Sequence, residues 1–109
     1  WDTIFKSVSK TGQLLVADTG SMSFGVSGEV IAKCAEKLFG KIKSPPTRIS
    51  LPDSPSPTSS SLANEYFPRA IDIAELALSS FGRSLDEKWR KLEDGVYLDI
   101  PDPNFTGPF

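Results

Sequence analysis

The residues that could do chemistry form two overlapping motifs near the start of the chain. Ser7 and Lys10 match S-x-x-K, and Lys10-Thr11-Gly12 matches K-T-G. Both patterns occur in penicillin-binding enzymes, where the serine is the nucleophile. Such a site needs the motifs on separate elements that converge in space, whereas here they share one lysine and no S-D-N motif accompanies them. We therefore interpret this stretch as a helix end and its cap.

Glycines and carboxylates provide the second set of candidates. Gly20, Gly25 and Gly28 follow a predicted strand, but their spacing fits neither G-x-G-x-x-G nor G-x-x-x-x-G-K-[ST]. A helix starting there could still contact an anion through its free backbone N–H groups, and Glu29 would lie in its first turn. We take Gly25, Gly28, Glu29 and Asp53 as candidate interface or anion-contacting residues. No catalytic, cofactor-binding or metal-binding residue is assigned.

The composition argues against most other chemistry. The 109 residues include no histidine and one cysteine, Cys34. The commonest general base and metal ligand is therefore absent, and neither a zinc site nor a disulfide framework is expected. A net charge of −2 gives no reason to expect nucleic acid or an anionic membrane as a partner. No apolar run approaches the roughly 20 residues that span a bilayer.

The first predicted elements are a short helix and a strand. The spacing of apolar residues predicts a helix over residues 3–11, with Asp2 or Thr3 as its N-cap and Gly12 as a left-handed terminator. The apolar run Leu14–Ala17 is typical of a strand buried on both faces of a mostly parallel sheet. A polar loop is expected from Asp18 to Gly25.

A second helix and strand follow. Three- and four-residue apolar steps predict a helix from Val26 to Leu38, ended by Gly40. Thr47–Leu51 is predicted as the second strand. The Pro- and Ser-rich stretch 52–61 is interpreted as a stiff surface loop, in which Asp53 would cap its own loop through an Asx-type turn.

The remaining residues predict two more helices and a tail. One helix opens near Phe67-Pro68, with Pro68 in its first turn. The residues expected on its apolar side are Ile71, Ala74, Leu78 and Phe81. A capping box over residues 84–87 is expected to start a last short helix with an apolar face of Leu85, Trp89 and Leu92. From Asp94 onward the chain is expected to be extended or docked on another surface.

The alternation of helices and strands indicates an α/β fold. We expect a three-layer α/β/α domain with a mostly parallel sheet, whose first strand would lie before Trp1 and be truncated here. The domain would cover residues 1–83, and residues 84–109 would form a short helix plus an extended C-terminal tail.

Several segments together resemble the C-terminal domain of the β subunits of 2-oxoacid dehydrogenase E1 components, in the transketolase-like, thiamine-diphosphate-dependent family. The matching residues are Trp1-Asp2-Thr3-Ile4, Ser7-Val8, Lys10-Thr11-Gly12, Gly25, Glu29-Val30, Arg48, Asp53, Pro55, Pro57 and Pro68. The chain departs from the family pattern at Gln13, Asp18–Ser21 and Leu62-Ala63. The resemblance covers residues 1–83 and leaves the tail unexplained.

The resemblance implies a non-catalytic assembly domain. The parent would use thiamine diphosphate and Mg²⁺, bound outside this part of the chain, to decarboxylate pyruvate or a branched-chain 2-oxoacid and pass the acyl group to lipoyl-lysine. Implied partners are an E1 α-type subunit, a second E1 β-type chain and the acyltransferase E2, in the cytoplasm or the mitochondrial matrix. The alternatives are the equivalent domain of transketolase or deoxyxylulose-phosphate synthase, and a free-standing module that binds a ligand or protein through the 18–28 loop and helix start.

Overall fold

Helices alternate with two strands in the described part of the chain. The computed structural model describes residues 1–91 and Gly95. Its elements are α1 (Asp2–Thr11), β1 (Leu15–Ser21), α2 (Val26–Leu38), β2 (Thr47–Leu51), α3 (Ser60–Tyr66), α4 (Ala70–Ser79) and α5 (Glu87–Arg90). The predictions of α1, α2 and β2 are confirmed, and β2 has the predicted bounds.

Gly12 ends α1 in the left-handed conformation, as predicted. Its φ is 74°, and its N–H donates to the carbonyl oxygen of Val8 at 2.7 Å. Only glycine adopts this φ without strain. Space is a second constraint, because a Cβ at this position would lie 2.6 Å from Cγ of Lys43. Glycine therefore allows both the turn and the close approach of the chain that leads into β2.

The start of α1 differs from the prediction. The N-cap is Trp1, without a side-chain cap, rather than Asp2 or Thr3. The indole of Trp1 stacks on the ring of Phe5 with a centroid distance of 5.6 Å, and Nζ of Lys33 lies 4.4 Å from the Trp1 ring. An aromatic contact within α1 and a cation–π contact to α2 therefore hold the helix start where a capping side chain was expected.

β1 and β2 pair in parallel, as predicted. Leu15 is opposite Thr47, and Ser21 is opposite Leu51, with an irregularity between Ala17 and Ser21. Two strands make up the sheet within the described residues. The expectation that β1 is buried on both faces is wrong, because its residues are only half-buried or exposed. One neighbouring strand and the described helices cover too little of its surface.

β1 also continues beyond the predicted end at Ala17. The pairing with β2 extends it to Ser21, and the N–H of Met22 donates to the carbonyl oxygen of Leu51 at 2.8 Å. Asp18 lies in this extension, and its side chain accepts the N–H of Gly20 at 2.9 Å. A polar segment that was predicted to be a loop is therefore a strand, because it pairs with β2.

The core lies between α1, α2 and the sheet. Val8, Cys34 and Leu38 are buried, and partly buried side chains of Phe5, Leu14, Val30 and Ile42 pack around them. The predicted apolar stripe of α2 supplies the centre of this cluster. The helix ends at Leu38, with Phe39 as its C-cap in the right-handed region, rather than at Gly40.

α3 lies partly inside the stretch that was predicted to be a loop. Ala63 is buried, and its N–H donates to the carbonyl oxygen of Ser59 at 2.9 Å. The hydroxyl of Tyr66 donates to the carbonyl oxygen of Ser54 at 2.8 Å. The prolines and serines concealed a short helix that is stabilised by packing and by this tertiary hydrogen bond.

α4 begins at Ala70, later than predicted. Phe67 is extended, with φ −91° and ψ 119°, because the residue before a proline is disfavoured in helical conformation. Arg69 is the N-cap, and its N–H donates to the carboxylate of Asp72 at 2.7 Å. Pro68 therefore precedes the helix instead of opening it.

Two aromatic residues expected to pack are exposed. Phe81 lies beyond the end of α4 and is 64% exposed, and Trp89 is 51% exposed. The N-cap of α5 is Asp86, which accepts the N–H of Lys88 at 3.0 Å, rather than a residue at position 84. Leu92 and the tail from Asp94 lie outside the described residues, apart from Gly95.

Candidate functional site

The carboxyl ends of β1 and β2 carry the candidate site. Open α/β sheets usually bind ligands at this edge. Two loops meet here: the loop from β1 to α2 and the loop after β2. Ser23 of the first loop is hydrogen-bonded to Asp53 of the second. The predicted residues Gly25 and Asp53 thus lie on two loops that the fold joins.

Asp18 satisfies backbone donors on both sides of the first loop. One carboxylate oxygen accepts the N–H of Gly20 at 2.9 Å, and the other accepts the N–H of Ser27 at 3.2 Å. The hydrogen bond from Gly20 is the largest cause of a lowered pKa for Asp18, followed by that from Ser27. Ser27 is in the first turn of α2, so the chain's own carboxylate occupies a donor that an anion could have used.

This role of Asp18 was not predicted from the sequence. The carboxylate lies nine residues before Ser27, and spacing alone does not show that a strand and a loop bring them together. The one signal in the sequence was the position of an aspartate between a strand and a helix start, where a carboxylate is favoured by the helix dipole.

Asp53 binds the neighbouring loop rather than its own. Its carboxylate accepts the N–H of Ser23 at 2.8 Å and the hydroxyl of Ser23 at 2.5 Å. These hydrogen bonds lower the pKa of Asp53, the hydroxyl contributing most, and the charge of Arg48 adds a smaller effect. The predicted Asx-type turn is therefore replaced by a contact across 30 residues.

Gly25 is required by space. Its φ is −75°, which any residue adopts, but a Cβ there would clash with the carbonyl oxygen of Ser21. Gly28 is less constrained, because a Cβ there would meet only Nη1 of the flexible Arg48 side chain, at 3.1 Å. Gly25 therefore lets the loop pack against the backbone of Ser21, and Gly28 faces Arg48 of β2.

Glu29 belongs to the surface of α2. Its carboxylate lies 3.3 Å from Nζ of Lys33, one helical turn later, and both side chains are well exposed. Such exposed pairs contribute only about 0.3–0.5 kcal/mol. The contacts of Glu29 are thus those of a solvated helix face.

Phe24 is the most unusual residue of the site, and it was not among the residues predicted from the sequence. Its φ is 59°, and it is the only described non-glycine residue with positive φ. Its side chain is 106% exposed, and the nearby Val26 is 70% exposed. A bulky residue in the left-handed region is rare and marks either strain or function.

A buried hydroxyl pair connects the site to the sheet. The hydroxyl oxygens of Ser27 and Ser50 lie 3.1 Å apart, and the two residues are 0% and 5% exposed. Buried polar groups need such partners. The pair therefore ties the start of α2 at Ser27, three residues after Phe24, to β2.

An apolar cleft of roughly 390 Å³ lies beside Asp18. Its lining residues are Ala17, Asp18, Thr19, Ile49, Leu51, Phe67, Pro68 and Ile73. A ligand site of this kind usually has several polar groups converging on it. Here the one charged lining group, Asp18, already accepts hydrogen bonds from the backbone of Gly20 and Ser27.

Within residues 1–91, no three His, Cys, Asp or Glu side chains are grouped so that they could hold a metal ion. Nor is any helix of that range long and apolar enough to cross a membrane. The sheet edge therefore offers the carboxylates of Asp18 and Asp53, which already accept hydrogen bonds from the chain, and the exposed ring of Phe24.

Comparison with known proteins identifies the family. The family model described as transketolase, C-terminal domain, matches residues 1–73, which include both strands, Phe24 and the two carboxylates of the site. This chain belongs to the transketolase C-terminal domain family. The resemblance noted from the sequence and the predicted α/β fold are thereby confirmed.

The similar proteins are longer than this chain. It is 46% identical over 52 residues to the pyruvate dehydrogenase E1 component subunit beta of Mycoplasma pneumoniae, covering 46% of this chain and 16% of that protein. It is 34% identical over 76 residues to the acetoin:2,6-dichlorophenolindophenol oxidoreductase subunit beta of Cupriavidus necator, and the match covers 70% of this chain and 22% of that protein. It is 37% identical over 76 residues to the mitochondrial pyruvate dehydrogenase E1 component subunit beta of Chaetomium thermophilum, and the match covers 70% of this chain and 20% of that protein.

This transketolase C-terminal domain thus spans about a fifth of the length of these relatives. No solved structure matches it.

Proposed function

We propose that this chain is the C-terminal, non-catalytic interface domain of a thiamine-diphosphate-dependent 2-oxoacid dehydrogenase E1 β-type chain. Membership of the transketolase C-terminal domain family supports this, as do relatives named as β subunits of pyruvate dehydrogenase and of an acetoin oxidoreductase. The parent enzyme would oxidatively decarboxylate pyruvate or a branched-chain 2-oxoacid and transfer the acyl group to lipoyl-lysine.

The observation that carries the proposal is the exposed ring of Phe24 close to the start of α2. At that helix start, the backbone N–H of Ser27 already donates to the carboxylate of Asp18. A ligand or catalytic site needs groups that are free to act, whereas Asp18 and Asp53 accept hydrogen bonds from the chain itself. A fully exposed aromatic ring on a loop held by these hydrogen bonds suits contact with another protein, because burial of the ring on binding supplies affinity. The edge of the sheet therefore fits an interface better than a reaction site.

The described residues do not fit thiamine diphosphate or its Mg²⁺. The N–H of Ser27 donates to Asp18, so an incoming diphosphate would meet a carboxylate at the helix start. Gly25 lies against the carbonyl oxygen of Ser21 and leaves no cradle for a phosphate group. We therefore assign cofactor binding to other parts of the parent enzyme.

The proposed partners are an E1 α-type subunit, a second E1 β-type chain and the acyltransferase E2. The parent would work in the cytoplasm or the mitochondrial matrix, since the relatives include bacterial proteins and one named as mitochondrial. A transketolase or deoxyxylulose-phosphate synthase parent is less well supported, because the relatives above carry β-subunit names. A free-standing module that binds an anion at the start of α2 would need the backbone N–H of Ser27, which already donates to Asp18.

The test uses the full-length parent chain co-expressed with its α-type subunit. We expect Phe24→Ser to weaken the assembly, seen as a lower sedimentation coefficient at equal protein concentration. Phe81→Ser is the matched control, because Phe81 is also exposed but lies outside the site. Assembly that is unchanged by Phe24→Ser would contradict a role of this loop in the interface.

A second measurement examines the non-catalytic assignment directly. Thiamine diphosphate with Mg²⁺ is titrated into the 109-residue chain and followed by calorimetry. We expect no saturable heat. Saturable binding by this chain alone would overturn the proposal that the cofactor is held elsewhere.

A further inference from the structure

A groove at the end of α2 is not explained by the proposed function. It has a volume of roughly 420 Å³ and is lined by Ala35, Phe39, Ile42, Lys43, Ser44, Pro45 and Pro46. Phe39 is 86% exposed. Its lining is mostly apolar, and such exposed apolar surfaces are commonly binding sites.

Lys43 lines this groove, and further lysines lie near it along the chain. Lys37 lies in the last turn of α2, Lys41 and Lys43 follow it, and all three side chains are exposed. The backbone N–H of Lys43 donates to the carbonyl oxygen of Gly12 at 2.8 Å, which brings the last turn of α1, with Lys10, to the same end of the molecule. Among the described residues, none of these lysines forms an ion pair.

The charges of the chain are divided unevenly along the sequence. All 12 Lys and Arg residues lie within residues 1–91, together with 10 of the 14 Asp and Glu residues, so this part has a net charge of +2. The other four acidic residues, Glu93, Asp94, Asp99 and Asp102, lie in residues 92–109, which contain no basic residue. The same segment contains Val96, Tyr97, Leu98, Ile100, Phe105 and Phe109.

We propose that residues 92–109 bind the groove at the end of α2, which Lys43 lines. Their apolar side chains would cover Phe39 and Ile42, and their carboxylates would approach Lys41 and Lys43. Burial of apolar surface supplies the affinity, and the opposite charges select the site and its orientation. Nucleic acid or an anionic lipid surface would match the lysines too, but phosphate groups would leave the apolar lining uncovered.

The segment is long enough to reach the groove. Eighteen residues in extended form span up to roughly 60 Å, more than the longest dimension of the molecule, 44 Å. Because the segment is covalently attached, its local concentration at the groove is high, and a weak contact is sufficient. The proposal concerns this chain alone and does not depend on the identity of the parent enzyme.

The test attaches a nitroxide spin label to the full 109-residue chain through Thr106→Cys. Cys34 is 0% exposed and is not expected to react with the label in the folded protein. We expect most of the amide NMR signal of Phe39, Ile42 and Lys43 to be lost through proximity to the label. The double substitution Lys41→Glu with Lys43→Glu should restore these signals, and Lys88→Glu, a matched change far along the sequence, should not.

Charge reversal on the segment provides the complementary measurement. Asp99→Lys with Asp102→Lys should abolish the effect in the wild-type background and restore it in the Lys41→Glu, Lys43→Glu background. Unchanged signals of Phe39, Ile42 and Lys43, or a loss of these signals that charge reversal does not change, would overturn the proposal. A mixed sample of isotope-labelled chains without the spin label and spin-labelled chains without the isotope is the last control. Signal loss in that sample would also overturn the proposal, because the label would then act from a second copy of the chain.

Discussion

Ser23 and Asp53 lie 30 residues apart in sequence, yet the carboxylate of Asp53 accepts both the N–H of Ser23 at 2.8 Å and its hydroxyl at 2.5 Å. This contact joins the loop after β2 to the loop between β1 and α2. Asp18 holds the other side of the same loop through the N–H of Ser27. Phe24, between these two attachments, is therefore kept exposed in a backbone conformation that it would not otherwise prefer.

The two carboxylates predict how stability depends on pH. Both pKa values are lowered in the folded state from the ordinary value of 3.8. Their stabilisation is therefore complete above that unfolded-state value, and it is lost as the pH falls through the lower folded-state values. Urea unfolding at a series of pH values should show the midpoint falling as the pH drops below about 4.

The matched variant is Asp18→Asn combined with Asp53→Asn. It should be less stable at neutral pH and should lose less stability between neutral and acidic pH than the wild type. Glu36→Gln, which removes an exposed carboxylate from α2, serves as the control. If the double variant and the wild type had the same pH dependence, the stabilising role of the two carboxylates would be excluded.

Phe24→Gly should stabilise the fold. The left-handed conformation of Phe24 is strained, its side chain is fully exposed, and glycine adopts this φ freely. We expect a gain of about 0.5–1 kcal/mol in the free energy of unfolding, after the entropy that glycine adds to the unfolded chain is deducted. Phe24→Ala keeps the strain and should give no gain. A Phe24→Gly variant less stable than wild type would refute the assignment of strain.

Gly25→Ala should destabilise the fold through a clash with backbone. The new Cβ would overlap the carbonyl oxygen of Ser21, so the loop must shift, at a cost of about 1–3 kcal/mol. Gly28→Ala is the matched change in the same region, where only the end of the Arg48 side chain must move. Thermal unfolding should therefore show a large loss for Gly25→Ala and little or none for Gly28→Ala. Equal losses at the two positions would contradict the steric explanation.

The buried hydroxyls of Ser27 and Ser50 should be energetically coupled. Ser27→Ala would leave the Ser50 hydroxyl without this partner, at a cost of about 1–3 kcal/mol. The double variant Ser27→Ala, Ser50→Ala should cost less than the sum of the two single changes, because no unpaired hydroxyl remains. Chemical denaturation of the four proteins measures this difference. Strict additivity would mean that the 3.1 Å contact contributes nothing to stability.

The helical part of the fold could be predicted where short-range rules apply. Gly12 ends α1 because a glycine after a lysine-containing last turn is a local signal. The apolar stripe of α2 leads directly to the core positions Cys34 and Leu38. α3 could not be predicted in this way, because its buried Ala63 and the Tyr66 hydrogen bond depend on distant parts of the chain.

The candidate site was predicted only in part. Gly25 and Asp53 were identified from their residue types and from the family resemblance, but the partner of Asp53 and the role of Asp18 were not. Phe24 had no distinguishing signal, because its exposure and its positive φ follow from the hydrogen bonds of its neighbours.

The sequence by itself determined the alternation of helices and strands, the absence of histidine chemistry and the family. These depend on composition, on periodicity and on turn residues that act over a few positions. Only the tertiary structure decided that Asp18 accepts a hydrogen bond from Ser27 at the start of α2 and that Asp53 accepts hydrogen bonds from Ser23. The parallel pairing of β1 with β2 places both loops at one edge of the sheet, and hydrogen bonds at such sequence separations depend on that pairing rather than on local preference.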